Sequence, residues 1–303
     1  MSAKYVLIGA EKADPLSPYS LVMMCRALGV SRSGFSSWAV ATVSATARRR
    51  AQVGVHVRAA FAAGRGTYGV RRVHAVLGRS TDPQVAGASL NLVRAIMREQ
   101  GLQACQPRAY RITTVPDPTA TPQIIDRVRR DFTAPWPGLK LVGDITYIRT
   151  GQGWLYLATV IDCHTKAVIG WAMAEHMRTD LICDAITMAA SNTTFAPGAV
   201  FHSDRGTQYT SAQFSEHLNN NNLLGSMGAT GVCWDNAMAE SFFAALKNEL
   251  VHRTVFSTRD RARRAITEYI EVFYNRQRLH SGLGYRTPHE ITEQYAKIAR
   301  QAA

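Results

Sequence analysis

The 303-residue chain has no apolar run near the ~20 residues that span a bilayer. It also has no internal repeat and no low-complexity tract. Its N-terminus, MSAKYVLIGAEKADPL, holds one short apolar patch with acids soon after it, which is not the pattern of a secretory leader. Cysteine is scarce. Cys25, Cys105, Cys163, Cys183 and Cys233 are odd in number and scattered, with no two at metal-ligand spacing. They point to a reducing compartment and to thiols used as packing. Proline is sparse except between residues 107 and 137, which hold six of the eleven. The second half of the chain lacks net charge: residues 131–303 carry 16 Lys and Arg against 16 Asp and Glu.

The whole formal charge of +13 therefore lies in residues 1–130, where 19 basic residues face 6 acids. A surface excess kept only for solubility would be spread along the chain. A concentrated one suits a polyanion, because each Lys or Arg on a phosphate releases condensed counterions. Nothing resembles a membrane-anchoring helix, so nucleic acid is the expected partner and a membrane is not. Hydrophobic content of 46% excludes wholesale disorder, and the length supports two or more units.

Five stretches are expected. Residues 1–45 contain SLVMMCRALGV and SRSGFSSWAV, two helices with Gly29 ending the first and Ser31 capping the second. That is a helix-turn-helix outline. Residues 46–106 read as a basic helical DNA-binding region, with Arg65, Arg71, Arg72, Arg94 and Arg98 on its surface. Residues 107–137 form a Pro-rich basic linker. From 138 to 255 the pattern turns α/β. KLVGDITYIRT, WLYLATVIDC and KAVIGWAMAEH read as sequential antiparallel strands. A helix (179–192), a strand (199–204), a helix (210–221), a short strand (223–228) and a helix (236–251) follow. Residues 256–303 are read as one long helix, about 259–278, and a tail.

Three acids stand in distinctive surroundings: Asp144 within the first strand, Asp204 at the end of the fourth in FHSDRGTQYTS, and Glu240 early in a helix. Spacing alone singles out none of them. Asp204 and Glu240 have 35 residues between them, and so do Asp180–Glu216 and Asp235–Glu271. Context separates the pairs. Asp180 reads as a first-turn helix acid, Glu216 as a polar-face residue, Asp235 as a helix cap and Glu271 as an ion-pairing residue. Asp204 falls where open α/β sheets place their ligand crevice. Ala239, Phe243, Leu246 and Leu250 make a core stripe. Glu240 and Lys247 flank that stripe, about 10 Å apart along the axis. His202, two residues before Asp204, shares its strand face and reaches either the cleft or its edge. Asn236 is a candidate substrate contact.

DITY, HSDRGTQYTS, DNAMAESFFAALKNEL and YNRQRLHSGLGYRTP resemble the catalytic region of bacterial transposases of the insertion-sequence-three family. RGTYGVRRVHAVL and NLVRAIMREQGL resemble that family's helical DNA-binding region. The likeness covers about residues 20–295. It implies a ribonuclease H-like mixed sheet, similar to retroviral integrases, preceded by an all-helical DNA-binding region. It also implies Asp144, Asp204 and Glu240 as catalytic metal ligands, with Lys247 as the basic residue after the glutamate. Two departures stand out. No tryptophan lies a few residues before Asp144 in KLVGDITY, and Gly228 stands where the family favours serine.

The chemistry that the resemblance implies is cleavage of element-end phosphodiesters and strand transfer by the freed 3′-hydroxyl. Two Mg²⁺ (or Mn²⁺) ions per site would assist an in-line displacement, since all-oxygen ligands select hard cations. Lys247 would hold a phosphate as a point charge. The implied partners are terminal inverted repeats, target DNA, further copies of the chain on DNA and a small helix-turn-helix protein from an upstream frame. The implied location is the bacterial cytoplasm, on the nucleoid. Two alternatives share some of these features: a DNA-binding regulator with an inactive core, and a metal-dependent nuclease of the ribonuclease H-like class. The intact triad argues against the first, and the basic helical region upstream against the second.

Overall fold

The computed structural model describes residues 2–40, 44–105, 125–228 and 236–302. Most of the expected linker, with Pro107, Pro116, Pro118 and Pro122, lies outside the described residues, as do Cys233 and the expected cap Asp235.

Helices α1 (Ser2–Ala13), α2 (Leu21–Ala27) and α3 (Arg32–Val40) form a small bundle around Ile8, Met24, Cys25 and Phe35. The Ser20 hydroxyl accepts from the Met23 N–H at the start of α2, and Ser31 accepts from Gly34 (3.0 Å) at the start of α3. Gly29 takes a left-handed φ of 61°, which reverses the chain between them. Helix α1, not expected above, closes the bundle by setting Tyr5 against Trp38, ring centroids 5.8 Å apart.

Helices α4 (Ala45–Ala63), α5 (Val70–Leu77), α6 (Pro83–Ala86) and α7 (Leu90–Glu99) make the basic helical region. Ser44, Asp82 and Ser89 cap three of them. Along α7, Val93, Ile96 and Met97 are buried at i, i+3 and i+4, while Asn91, Arg94 and Arg98 face solvent.

The core contains β1 (Lys140–Thr150), β2 (Gly153–Asp162), β3 (Val168–Ala174), α8 (Thr179–Asn192), β4 (Val200–Ser203), α9 (Ala212–Asn220), β5 (Leu224–Met227) and α10 (Ala237–Glu249). Strand order is β3-β2-β1-β4-β5. The first three strands run antiparallel, and β4 and β5 are parallel to β1. The period-2 pattern of β1 divides its side chains between two cores. Leu141 joins α8, α9 and Phe201, whereas Val142 and Ile148 join Phe242, Phe243 and Leu246 of α10. Gly143 lies against Phe201, and a Cβ there would come within 2.1 Å of the ring.

Beyond α10, α11 (Arg259–Glu268) continues into wider turns over Tyr269–Tyr274, where the Asn275 N–H reaches back five residues to the Ile270 carbonyl. The single helix expected over 259–278 is thus broken. The wider turns set Tyr269, Ile270, Phe273 and Tyr274 on one buried face. The expected tail forms a further helix, α12 (Pro288–Ala302).

Among the described residues, side chains rather than another strand cover the outer edge of β3. Asn275 bonds both the N–H and the carbonyl of Val168 (3.0 and 2.9 Å), Asn192 donates to the Ile169 carbonyl (3.0 Å), and Arg263 donates to that of Met173. At the C-terminal end of β2, the buried Asp162 carboxylate accepts from Gly138, His164 and Thr165, which secures the turn into β3. Among the described residues, no helix is long and apolar enough to cross a membrane.

Candidate active site

Parallel pairing of β1 with β4 sets Val142 opposite His202. Two residues further along each chain come Asp144 and Asp204, so the two central strands bring both acids to the same end of the sheet. Asp144 has a backbone neighbour as donor, the Ile145 N–H at 2.7 Å. Asp204 lies just past β4 in a turn where the Gly206 N–H donates to it at 3.0 Å. Glu240 enters from the first turn of α10, whose Ala239, Phe242, Phe243 and Leu246 pack it onto β1. Lys247, two turns further on, stands 5.4 Å from the centre of the Tyr147 ring.

These groups lie within one field. Burial, the Asp204 charge and the Glu240 charge push the Asp144 carboxyl up to about 8, against the opposing pull of the Ile145 N–H and Lys247. Desolvation raises Asp204, partly offset by Gly206, although that residue keeps an open face to solvent. Desolvation also raises Glu240 and lowers Lys247, the latter countered by Asp144. The repulsion falls mainly on Asp144, the most enclosed of the three acids. Among the described residues, no three His, Cys, Asp or Glu side chains are close enough together to hold a metal ion.

The equally spaced acids go elsewhere. Asp180 is 3.7 Å from both His176 and Arg178, Glu216 is exposed, and Glu271 accepts from the Trp171 indole at 2.7 Å.

Several candidate DNA contacts have protein partners. His202 is buried, with Nδ1 2.8 Å from the Ser226 hydroxyl and Phe132 edge-on to its ring. Asn236 is buried at the start of α10, where its amide donates to the Gly143 carbonyl at 3.2 Å and so ties that helix to the strand bearing Asp144. Two arginines expected on the surface are drawn inward by groups some 200 residues away in sequence. Arg65 forks onto Glu268, and Arg72 donates to the Leu279 carbonyl (2.9 Å) beside Glu249. Arg71, Arg94 and Arg98 remain exposed.

Sequence reasoning overlooked Tyr209. It is buried, its hydroxyl has no partner among the described residues, and burial with the charges of Asp144 and Asp204 holds its phenol well above the usual range. Its signal was its place five residues after Asp204 in DRGTQY. The motif YNRQRLHSGLGYRTP also acquires roles. Arg278 clamps Glu249 at the end of α10 with bonds of 2.7–3.0 Å, and Tyr274 is buried edge-on to both Phe242 and His280. A cavity of about 720 Å³ beside Trp136, Asn275 and Tyr295 is lined by none of the three acids.

A mixed sheet in this order, flanked by helices, with Asp144 inside β1 and Asp204 just past the adjacent β4, defines a ribonuclease H-like integrase core. The integrase core domain family matches residues 134–233 and, by a second description, 223–288; the HTH-like domain family matches 48–110. The transposase InsF of insertion sequence IS3A from Escherichia coli K12 is 38% identical over 297 residues, covering 95% of this chain and 98% of the relative. An uncharacterized 31 kDa protein of insertion element IS600 from Shigella sonnei is 36% identical over 276 residues, 91% of this chain and all of its own. The chain belongs to the IS3 family of insertion-sequence transposases. Among solved structures, the HTLV-2 integrase catalytic core domain in complex with magnesium is similar at 16% identity and a TM-score of 0.40, over 52% of this chain and 97% of that one. A simian T-cell lymphotropic virus intasome chain is similar at 12% identity and a TM-score of 0.44, over 74% of each.

Proposed function

We propose that this transposase cuts DNA at the ends of its element and joins the freed 3′-hydroxyl to a second phosphodiester, using Asp144, Asp204 and Glu240. The reading rests on one observation: parallel β1 and β4 bring Asp144 and Asp204 to the same end of the sheet, and α10, packed on β1, brings in Glu240, so that burial and the charges of Asp204 and Glu240 push the Asp144 carboxyl up. A cluster of carboxylates that resist ionising together suits positive charge between them, and its all-oxygen donor set suits Mg²⁺ or Mn²⁺. Asp144, Asp204 and Glu240 would hold such ions. When bound, two divalent ions supply activation of the attacking oxygen and stabilisation of the leaving one.

The chain's own residues do the rest. Lys247, at the rim, anchors a phosphate beside the acids as a point charge. Asn236 fixes the start of α10, and with it Glu240, against β1. Arg71, Arg94 and Arg98 hold the DNA backbone from the helical region. The element's terminal repeats and a target duplex are the substrates, and several copies of the chain act together on them.

Purified protein with Mg²⁺ and a labelled duplex carrying the DNA that flanks the gene tests this. Asp144→Asn, Asp204→Asn and Glu240→Gln should each abolish cutting and joining and leave DNA binding nearly intact. Cutting that survives in any one of them removes that residue from the site. Cutting by the unaltered chain with no joined product favours the nuclease reading.

A further inference from the structure

Two groups of arginines in the helical region differ in what they meet, while Arg49 and Arg50 bond within the region itself. Asn91, Arg94 and Arg98 line the outer face of α7. Arg65, Arg72 and Arg79, each seven residues from the next, instead grip the segment that follows α10. Arg65 forks onto Glu268, lies 4.4 Å from the centre of the Phe273 ring and offers its carbonyl to Arg253 (2.9 Å). It sits with Gly66 in a turn where both residues have positive φ, 54° and 69°, so the backbone there is shaped for this aim. Arg72 donates to the Leu279 carbonyl, and next to it the Tyr68 hydroxyl donates to the Gln277 carbonyl (2.9 Å) and accepts from the Leu279 N–H (2.9 Å). Arg79 forks onto Glu290 (2.8 and 3.2 Å) and reaches the Tyr285 carbonyl (2.6 Å). Beneath these bonds one apolar core runs unbroken from Val57 and Val73 of the helical region to Phe243, Ile266 and Phe273.

We propose that Arg65, Arg72 and Arg79 are positioning residues that fix which phosphate the chain cuts, by locking the DNA-holding face of α7 at a set distance from the three acids. This deepens the function proposed above and rests on it. A duplex held by the outer arginines advances ~3.4 Å per base pair along its axis. A shift of that size between helical region and core would therefore present the neighbouring phosphate to the acids. Bidentate Arg–carboxylate forks set angle as well as distance, which single point charges would not. Cations meant for DNA would instead be left without carboxylate partners, as Arg71 and Arg98 are among the described residues.

The test reverses the two outer rungs, Arg65–Glu268 and Arg79–Glu290, which as partly exposed ion pairs carry little of the fold; Glu290 also caps α12, so E290R alone is melted and mapped alongside to separate loss of that cap from loss of the rung. The duplex of flanking DNA, end-labelled, is cut with Mg²⁺ and read at nucleotide resolution. The unaltered chain should cut one phosphate. R65E/R79E, which sets like charges opposite each other, should spread the cuts over adjacent phosphates, about one to three base pairs for a displacement of one to three 3.4 Å steps. Its DNA affinity and salt dependence should stay as they were. R65E/R79E/E268R/E290R should return cutting to the single phosphate. The milder R65Q/R79Q, expected to broaden the cuts less, serves if the reversed form does not fold. The proposal is overturned if the folded variants cut only the original phosphate, if the fourfold form fails to restore it, or if R65E/R79E binds DNA weakly with a flatter salt slope, which would make these arginines phosphate contacts. If the unaltered chain cuts nothing, the function reading itself fails and takes this one with it.

Discussion

His280 has room for a neutral ring and little tolerance for a second proton. Burial first, and then the charge of Arg278, pull it from 6.5 to about 3. Between those values the unfolded chain binds a proton that the folded one refuses, so stability falls as pH drops through this window. His280→Gln should flatten that slope. Urea midpoints at pH 7 and pH 5 should show the unaltered chain losing up to about 2 kcal/mol more than the variant. Asp144 runs the opposite way. Its raised carboxyl contributes stability that is full below the ordinary carboxylate range and lost as pH rises through about 8. Melting at pH 8 should thus find Asp144→Asn more stable than the unaltered chain without added cation, and Mg²⁺ should raise the melting point of the unaltered chain alone. A larger shift in the variant would remove Asp144 from cation binding. The places of Asp144 and Asp204 were legible from short motifs, because DITY sits inside an uninterrupted β-branched strand and HSDRG marks where the fourth strand gives way to a turn. The inward turn of Arg65 and Arg72 was not, since their partners are distant in the chain and no local pattern announces them.

At the scale of elements, α10 is fixed at both ends. Asn236 ties its start to β1, and Glu249 at its end is taken by Arg278 and by the Tyr269 hydroxyl at 2.8 Å. The Glu249 and Arg278 side chains are only 6% and 9% exposed. Glu249→Ala leaves a guanidinium buried without its counter-charge and should cost about 3–5 kcal/mol in denaturant unfolding. Glu249→Leu with Arg278→Met, which removes both charges, should cost clearly less; an equal cost would mean that packing, not charge, decides. The strands β1 to β3 and helix α8 were readable because β-branched runs and helical apolar spacing were strong and uninterrupted. Helix α12 was readable too and was missed. Thr287 and Glu290 in TPHE form a reciprocal capping box, with Thr287 N–H to Glu290 at 2.7 Å and Glu290 N–H to Thr287 at 3.2 Å, and Pro288 follows the cap. The wider turns over Tyr269–Tyr274 had no such signal, because their aromatic spacing also fits an ordinary helix.

For the molecule as a whole, the +13 divides unevenly even within the first 130 residues: residues 44–105 hold ten arginines against two acids, and residues 2–40 hold four cations against two. The helical region, not the N-terminal bundle, should therefore set the salt dependence of DNA binding. Arg94→Ala and Arg98→Ala should each lower the slope of log K against log salt by about 1. Arg26→Ala in the bundle should leave it unchanged, and an equal drop there would move the DNA-binding face. Side chains covering the outer edge of β3 also affect how the chain must be made. Val168 waits for Asn275, 107 residues later. A ribosome adding ~5–20 residues per second needs about 5–20 s to deliver that partner. Through that interval the nascent sheet presents an open margin to any neighbouring strand, so crowded polysomes, rather than the finished protein, are where this transposase is most exposed to tangling with its own copies.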